Sequence, residues 1–591
     1  SASGQLARHV AQLRRFIRCR IVGSPGGDQL RHRHAIEAGN DIADLQSRWK
    51  TAVITDATEL DYFATDVYSQ GEPLLAVLRP SDAKQLAAAV AELTAAGVVV
   101  IARGGGMSYT SGYLATRQPT VLVDTSGLDK VVEINVEDAY VVVEAGVTWE
   151  ALQQALSTKG VRTPYFGPMS GSHATVGGAL SQGSVFHGSA RYGSSADSVL
   201  GLEVVTAGGD ILRTGSAASG NATPFFRWHG PDLTGVFLGD CGMLGIKVRA
   251  SLRLLPKHSH IDYLSWQFER ADQLMGAMGA LARAGLASET AAFDPSLSQI
   301  RMRRASLSSD VKSLGNVIKK GGLLQGLKLV TKGRDFLDPD LFTMHITLEG
   351  DSAGEIAARV EKARKLVAPF GHEVENSVPK VMAANPFAAK NAMLGSAGER
   401  WAPIHAIVPH SRSTELFNAL QALFAAEKPT MDAHGLFIGT LMTTVGAQAT
   451  LIEPCIYWPD SHNAFHVRTV DADHLAKIGC PGENLASRAA ADAQDANALM
   501  DMSMVLQLSG QRELALAMQR QALEIQLLYH LPASCAASSE ATKTCIRLLA
   551  FMTPGDLMTN TPLDCLIENG DVALDMLYLG AGLAPPAELP E

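Results

Sequence analysis

The sequence predicts an α+β protein of two lobes followed by an all-helical tail, and three observations predict it. Between Leu74 and Pro256, short apolar runs of strand length alternate with longer amphipathic helical stretches. Residues 260–470 repeat a strand–helix–strand texture, which implies a second α+β lobe around an antiparallel sheet. Residues 480–591 carry 5 Lys+Arg against 14 Asp+Glu, whereas the remaining chain is close to neutral. The expected division is a basic helical segment over 1–60, a first lobe over 61–258, a second over 259–479 and a helical module over 480–591. The last break falls at Gly479-Cys480-Pro481-Gly482, where Pro and Gly interrupt regular structure.

A chain of 591 residues is too long for one domain at about 150 residues each. Its 46% hydrophobic and 19% charged residues exclude a collagen-like or disordered protein. Seven dispersed cysteines with no CxxC pair suggest reduced thiols. A net charge of −10 argues against a nucleic-acid partner. The uncharged run Leu436–Ile452 holds four Thr, a Gln and two Gly, so it reads as buried strands, not a membrane span. No signal-peptide pattern follows Ser1, and cytoplasm is the expected compartment.

At the N-terminus, Leu13, Phe16 and Ile17 among arginines within Leu6–His34 suggest an amphipathic helix. It either packs on the body or lies at a membrane surface, peripherally. In the first lobe, strands are expected at Val98–Ala102, Thr120–Asp124, Tyr140–Ala145 and Gly201–Thr206, and helices at Ser81–Ala96 and Thr148–Lys159. Pro80-Ser81-Asp82 supplies helix-starting chemistry. In the second lobe, Leu264–Phe268 and Phe342–Leu348 read as strands, and Arg270–Ala284 and Ala353–Val367 as helices. Between them, Arg301–Arg334 carries nine Lys/Arg against Asp310 alone, a surface loop or an anion-binding patch.

The chemistry is concentrated in the first lobe. Arg103-Gly104-Gly105-Gly106-Met107-Ser108, with Gly112 close behind, follows a strand directly. Consecutive glycines let backbone N–H groups converge, which makes a nest for a phosphate. The run is not GxGxxG with a following acidic residue, so a nicotinamide-dinucleotide site is disfavoured. Gly167-Pro168-Met169, Thr175-Val176-Gly177-Gly178-Ala179 and Ser189-Ala190-Arg191-Tyr192-Gly193 then supply small residues that let main chain approach a flat ligand. Asp232-Leu233-Thr234-Gly235 and Gly239-Asp240-Cys241-Gly242-Met243-Leu244-Gly245-Ile246 complete the series. Each motif alone is weak; the three in this order and spacing are specific.

In these segments the chain resembles the vanillyl-alcohol oxidase/p-cresol methylhydroxylase (PCMH-type) flavoprotein superfamily, closely over 74–256 and more loosely over 260–470. The resemblance implies a PCMH-type FAD-binding domain followed by a substrate or cap domain. It implies that Arg103, Gly104, Gly105, Gly106, Met107, Ser108 and Gly112 hold the FAD pyrophosphate. Pro168, Thr175, Val176, Gly177, Gly178, Gly188 and Gly193 would border the flavin, and Gly242 and Ile246 the nucleotide side. Many members with a covalent flavin have His where this chain has Met107. A thioether is not the expected nucleophile there, so FAD is expected to be noncovalent. Where the hydroxy-acid branch often reads GSEG, this chain has Gly239-Asp240-Cys241-Gly242, and Cys241 is expected to be a buried small residue.

On the substrate side, strand alternation through Leu451–Asp460 puts Glu453, Cys455 and Tyr457 on one face, with His462, His466 and Arg468 behind. Tyr457, His466, Arg468 and Glu453 are the candidate catalytic residues, as base, hydrogen-bond partner or cation. The alternative for each is a satisfied structural group. The GHxGDGNxH-like metal motif of the hydroxy-acid branch is missing, with His434-Gly435 and His405…His410 its nearest substitutes, so no metal is expected. In the tail, Asn497–Ile525 resembles one tetratricopeptide repeat, either a partner-docking module or a helical cap. The family's C-terminal segment that closes back on the FAD domain is not evident after Asp473.

The resulting expectation is an FAD-dependent oxidoreductase that oxidises a small aromatic or phenolic alcohol, or a 2-hydroxy acid, by hydride transfer to the flavin. Oxygen, a quinone or a carrier protein would take the electrons, and a homo-oligomer is expected. The alternatives are a non-redox FAD enzyme of the alkyl-dihydroxyacetone-phosphate synthase type and a flavin-fold scaffold whose tail docks a partner.

Overall fold

The structure is a computed structural model that describes residues 47, 52–109, 111–220, 222–304, 337–388 and 390–478. The N-terminal helix, most of the basic run Arg301–Arg334 and the whole tail from 479 lie outside the described residues.

The first lobe contains two sheets. Strands β1 (Val53–Ile54), β2 (Ala76–Leu78), β3 (Val99–Arg103) and β4 (Thr120–Asp124) form a four-stranded sheet in the order β1-β2-β4-β3. β2 and β3 run parallel to the central β4. The helix Ala83–Ala95 supplies the crossover into β3, started by Asp82, whose carboxylate accepts from the N–H groups of Lys84 and Gln85. Its Leu86, Ala89, Val90 and Leu93 meet Leu78, Val121 and Val123 in one core. β1 pairs antiparallel with β2, Val53 opposite Leu78 and Ile54 opposite Val77.

The second sheet contains β5 (Val131–Asn135), β6 (Tyr140–Glu144), β8 (Val199–Val205), β9 (Ile211–Arg213) and β10 (Ile246–Arg253). It is antiparallel, in the order β5-β6-β10-β8-β9. Trp149, Leu152 and Leu156 of the helix Trp149–Ser157 cover it together with Tyr165, Val176 and Leu180. A two-stranded ribbon of β7 (Val161–Arg162) and β11 (Leu255–Pro256) closes the lobe.

The second lobe is one antiparallel sheet with helices on it. Its strands are β12 (His260–Phe268), β13 (Ala287–Phe293), β14 (Phe342–Gly350), β15 (His372–Val374), β16 (Arg400–Pro403), β17 (Ala406–Pro409), β18 (Phe437–Val445) and β19 (Ala449–Trp458). The order is β15-β12-β14-β13-β18-β19-β16, with β17 also on β19. The uncharged run Leu436–Ile452 is the β18–β19 hairpin, as its polar content implied. Among the described residues no helix is long and apolar enough to cross a membrane.

Polar ties hold the lobes together. Arg162 pairs with Glu349 at 2.5 Å, and His187 sits 3.1 Å from Glu289 with its other ring nitrogen 2.7 Å from the Pro386 carbonyl. Arg400 donates to the Tyr68 carbonyl at 3.0 Å, and Asn463 donates to the Asp66 carbonyl at 2.9 Å. Residues on both sides of Asp473 meet the first lobe: Phe465 and Val470 pack with Val67, Met393 and Leu394, and Tyr62, Met107, Tyr109, Leu475 and Ile478 border this cluster.

Candidate functional site

Strand β3 ends at Arg103, so the glycine loop leaves the sheet beside the end of β4 at Asp124. It runs against the segment 173–178 closer than any side chain allows. A Cβ on Gly105 would lie 1.8 Å from the His173 carbonyl oxygen, and one on Gly104 would lie 2.1 Å from Thr175 Oγ1. Thr175 is held in place because its hydroxyl caps the helix Val176–Gln182, accepting from the Gly178 N–H at 3.3 Å. With Cys241–Lys247 on the far side, these loops enclose a cleft of about 170 Å³.

Arg103, Gly104, Gly105, Gly106, Met107, Ser108, Gly112, Pro168, Thr175, Gly177, Gly178, Gly242 and Ile246 all line this cleft. Three expected residues do not. Val176 is fully buried in the core beneath the second sheet, because the helix turns its side chain inward. Gly188 and Gly193, at φ +86° and +81°, are turn residues flanking the helix Ser189–Tyr192. A Cβ on Gly188 would meet the Pro164 carbonyl at 2.2 Å, and one on Gly193 the Asp197 carboxylate at 2.4 Å.

Cys241 departs from its expected burial. It is exposed at the cleft, with φ +51°. Partial desolvation and the neighbouring Asp240 push its thiol pKa up, so it is not an activated thiolate. Lys247, which the motif reading stopped one residue short of, also lines the cleft. Its ammonium lies 2.6 Å from Asp240, and both side chains are 2% exposed.

Asp66 organises the loop from behind. Its carboxylate accepts from the N–H groups of Tyr68 at 2.8 Å, Ser69 at 2.6 Å and Ser111 at 3.0 Å, and it also bonds Ser108. Burial pushes its pKa up to about 6 against these hydrogen bonds. Ser111, at φ +57°, needs that support.

Met107, Ser108, Pro168, Ser170, Gln182 and Ser184 line a second, adjoining cleft of about 310 Å³ under the second-lobe sheet. That is room for a small organic molecule. Tyr109, Phe186, Trp401 and Tyr457 give it aromatic walls, and Lys390, His173, His405 and Glu453 give it polar ones. Tyr457 is fixed between Phe437, ring centroids 4.9 Å apart, and Trp401 at 6.0 Å. His405 Nδ1 lies 3.4 Å from Glu453. Burial and the Lys390 charge lower the His173 pKa.

Of the candidate catalytic residues, Glu453 and Tyr457 thus face the cleft, while His466 and Arg468 do not. β19 ends at Trp458, and the chain turns into the helix Ala464–Thr469, capped reciprocally by Asn463 and His466. The His466 ring is fully buried, and burial, with Arg400 and His462 nearby, holds its pKa down to about 3. Arg468 stacks over Tyr62 at 4.1 Å and pairs with Glu59 at 2.9 Å on the surface. Lys390 and Trp401, which the local reading missed, and His405, which it read only as a substitute for a metal motif, come from segments distant from β19 in sequence.

Residues 74–215 match a family model described as an FAD binding domain. The glycolate oxidase subunit GlcD of Bacillus subtilis (strain 168) is 29% identical over 218 residues, 37% of this chain and 45% of that protein. A D-2-hydroxyglutarate dehydrogenase of Xanthomonas citri pv. viticola is 29% identical over 233 residues, 39% of this chain and 48% of that protein. The chain therefore spans less than half the length of these curated relatives. Among solved structures, p-cresol methylhydroxylase with substrate bound superposes with a TM-score of 0.54 at 15% identity, covering 82% of this chain and 96% of that one. A 4-ethylphenol oxidase from Gulosibacter chungangensis gives 0.53 at 16% identity, covering 83% and 94%. At those identities the likeness is one of fold. The glycine cleft and the matched family together show that the chain carries a PCMH-type FAD-binding domain, and that FAD is the cofactor it is built to hold.

Proposed function

We propose that this protein is an FAD-dependent oxidoreductase acting on a small alcohol, either an aromatic or phenolic alcohol or a 2-hydroxy acid. The observation that carries the reading is the continuity of the two clefts. Six residues of the FAD cleft also line the chamber under the second sheet, so a molecule in that chamber adjoins the cofactor site. When bound, FAD supplies a two-electron acceptor.

The chain's own residues would do the rest. Glu453, paired with His405, would accept the proton of a substrate hydroxyl, and Tyr457, locked by its aromatic neighbours, would orient it. Lys390, at the chamber's exposed rim, offers a cation to a carboxylate or phenolate. Tyr109, Phe186 and Trp401 exclude water and favour a flat body. The electron acceptor would be oxygen, a quinone or a carrier protein. Met107 offers no nucleophile, so FAD would be noncovalent.

Anaerobic titration of the yellow protein with aromatic alcohols and with D-2-hydroxy acids tests the proposal. Bleaching of the flavin band by one class identifies it, and Glu453→Gln should slow that bleaching about 100-fold or more. A flavin that dithionite bleaches but no member of either class reduces would contradict the reading.

A further inference from the structure

His187 stands between the two lobes, and its ring meets an acceptor on each side. Nε2 lies 2.7 Å from the Pro386 carbonyl, and Nδ1 lies 3.1 Å from a Glu289 carboxylate oxygen. The His187 side chain is 4% exposed, and that of Glu289, on β13, is 30% exposed. Phe186 and Phe166 meet the ring edge to face, with centroids 4.6 and 6.4 Å away. A carbonyl only accepts, so Nε2 carries a proton. A hydrogen bond to Glu289 needs a second proton, on Nδ1 or on the carboxyl group itself. The Arg162 charge favours the carboxylate, which leaves His187 an imidazolium donating on both sides. Burial alone would lower the His187 pKa, but Glu289 and the Pro386 carbonyl raise it above its ordinary 6.5. Burial alone would raise that of Glu289, but His187 and Arg162 hold it below its ordinary 4.5.

What His187 holds is one wall of the second cleft. Pro386 opens a segment laid on the first lobe: the Ala388 N–H donates to the Met169 carbonyl at 2.7 Å, and Phe387 stacks on Phe166 with centroids 5.7 Å apart. A Cβ on Gly171 would lie 2.3 Å from the Phe387 ring, so that ring sits directly on main chain. Ala388 and Lys390 line the chamber, as does Phe186 beside His187. The other charged and titratable groups around the pair have partners of their own. Arg162 pairs with Glu349, and Arg191 stacks over Tyr192 at 5.3 Å. Burial, with Glu289, Glu349 and Asp262 nearby, pushes the Tyr263 pKa up to about 12. On the held segment, the Lys390 charge bears on His173.

We propose that His187 is a positioning residue, a proton-held latch that seats segment 386–388 on the first lobe and thereby sets Lys390 at the chamber. Loss of either ring proton turns a donor into a lone pair facing an oxygen, so one of the two ties becomes repulsive. With the His187 pKa raised and that of Glu289 lowered, the latch is complete between pH 4.5 and 6.5. It is lost as pH rises through the raised His187 value, and also as pH falls through the lowered Glu289 value. The partial exposure of Glu289 gives the proton a route to solvent without parting the lobes.

Amide hydrogen exchange of the purified protein tests this without substrate, so the latch stands or falls separately from the cofactor and substrate readings. The reporter is the Ala388 amide, followed by mass spectrometry in the peptide 384–393 and corrected for the intrinsic exchange rate. In wild type its protection should fall about tenfold or more between about pH 6 and about pH 9. Glu289→Gln should keep the protection and flatten its pH dependence, because a neutral His187 then donates to Pro386 and accepts from the new amide. His187→Gln should lower protection about tenfold at about pH 6, because its amide oxygen then faces one of the two acceptors. Adding Glu289→Gln to that variant should restore protection, since the two amides can pair. Wild-type protection that ignores pH, an alkaline fall that persists in Glu289→Gln, or full protection in His187→Gln would overturn the proposal. If His187→Gln does not fold, wild type against Glu289→Gln decides.

Discussion

Single atoms decide the cofactor cleft. Gly105→Ala would force the loop off the His173 carbonyl, since a Cβ there has only 1.8 Å. It should weaken FAD at least about tenfold, the equivalent of 1.4 kcal/mol. Fluorescence titration of apo-protein measures that loss, and an unchanged affinity would show that the loop does not touch the ligand. Lys247 and Asp240 make the opposite kind of test, being a buried pair at 2.6 Å. Lys247→Met leaves Asp240 buried and unpaired, and should cost about 3–5 kcal/mol of stability. The double variant with Asp240→Asn should recover most of it, because neither partner then carries an uncompensated charge. Denaturant unfolding of the two proteins checks this, and equal losses would refute the pairing. Both residues were within reach of the sequence. Asp240 sits inside the motif and Lys247 directly after it, yet nothing local says that the lysine turns inward to meet the aspartate.

At the scale of elements, the strands and helices were readable because each obeys one period. The helix expected at Ala353–Val367 is observed there, with Ser352 as its cap, and β4 occupies Thr120–Asp124 as expected. The wall of the second cleft was readable only in half. Strand alternation correctly grouped Glu453 with Tyr457, since period two is a local property. His466 and Arg468 were grouped with them by proximity in sequence, and a turn at Asn463 breaks that proximity. His466 also supplies a pH signature for its element. Its pKa is about 3 in the folded protein and ordinarily near 6.5, so the folded form resists protonation. The stability it contributes is complete above pH 6.5 and is lost as pH falls from 6.5 toward 3, by up to about 1.4 kcal/mol per pH unit. Replacing His466 with Gln should remove that acid slope, so wild type and variant should converge in melting temperature as pH falls. Parallel melting curves at every pH would show that His466 is not buried neutral.

Over the whole molecule, the FAD-binding lobe was legible because its glycines are required at fixed places by backbone contact. The chamber was not, because it is assembled by topology. Lys390, Trp401, His405 and Glu453 converge only once the second-lobe sheet closes over Met107–Tyr109. Leu475 and Ile478 of the helix Ala472–Ile478 then pack back on the cluster that Tyr62 borders, which joins the last described residues to the helix Ala57–Phe63. The account therefore stands or falls on FAD occupying the first cleft, with no covalent bond to the chain. An absorption spectrum of the purified protein, taken before and after acid precipitation, tests this most directly. The account predicts bands near ~370 and ~450 nm that move entirely into the supernatant. A colourless protein that takes up no added FAD would contradict the central claim, and colour that stays with the pellet would contradict its noncovalent form.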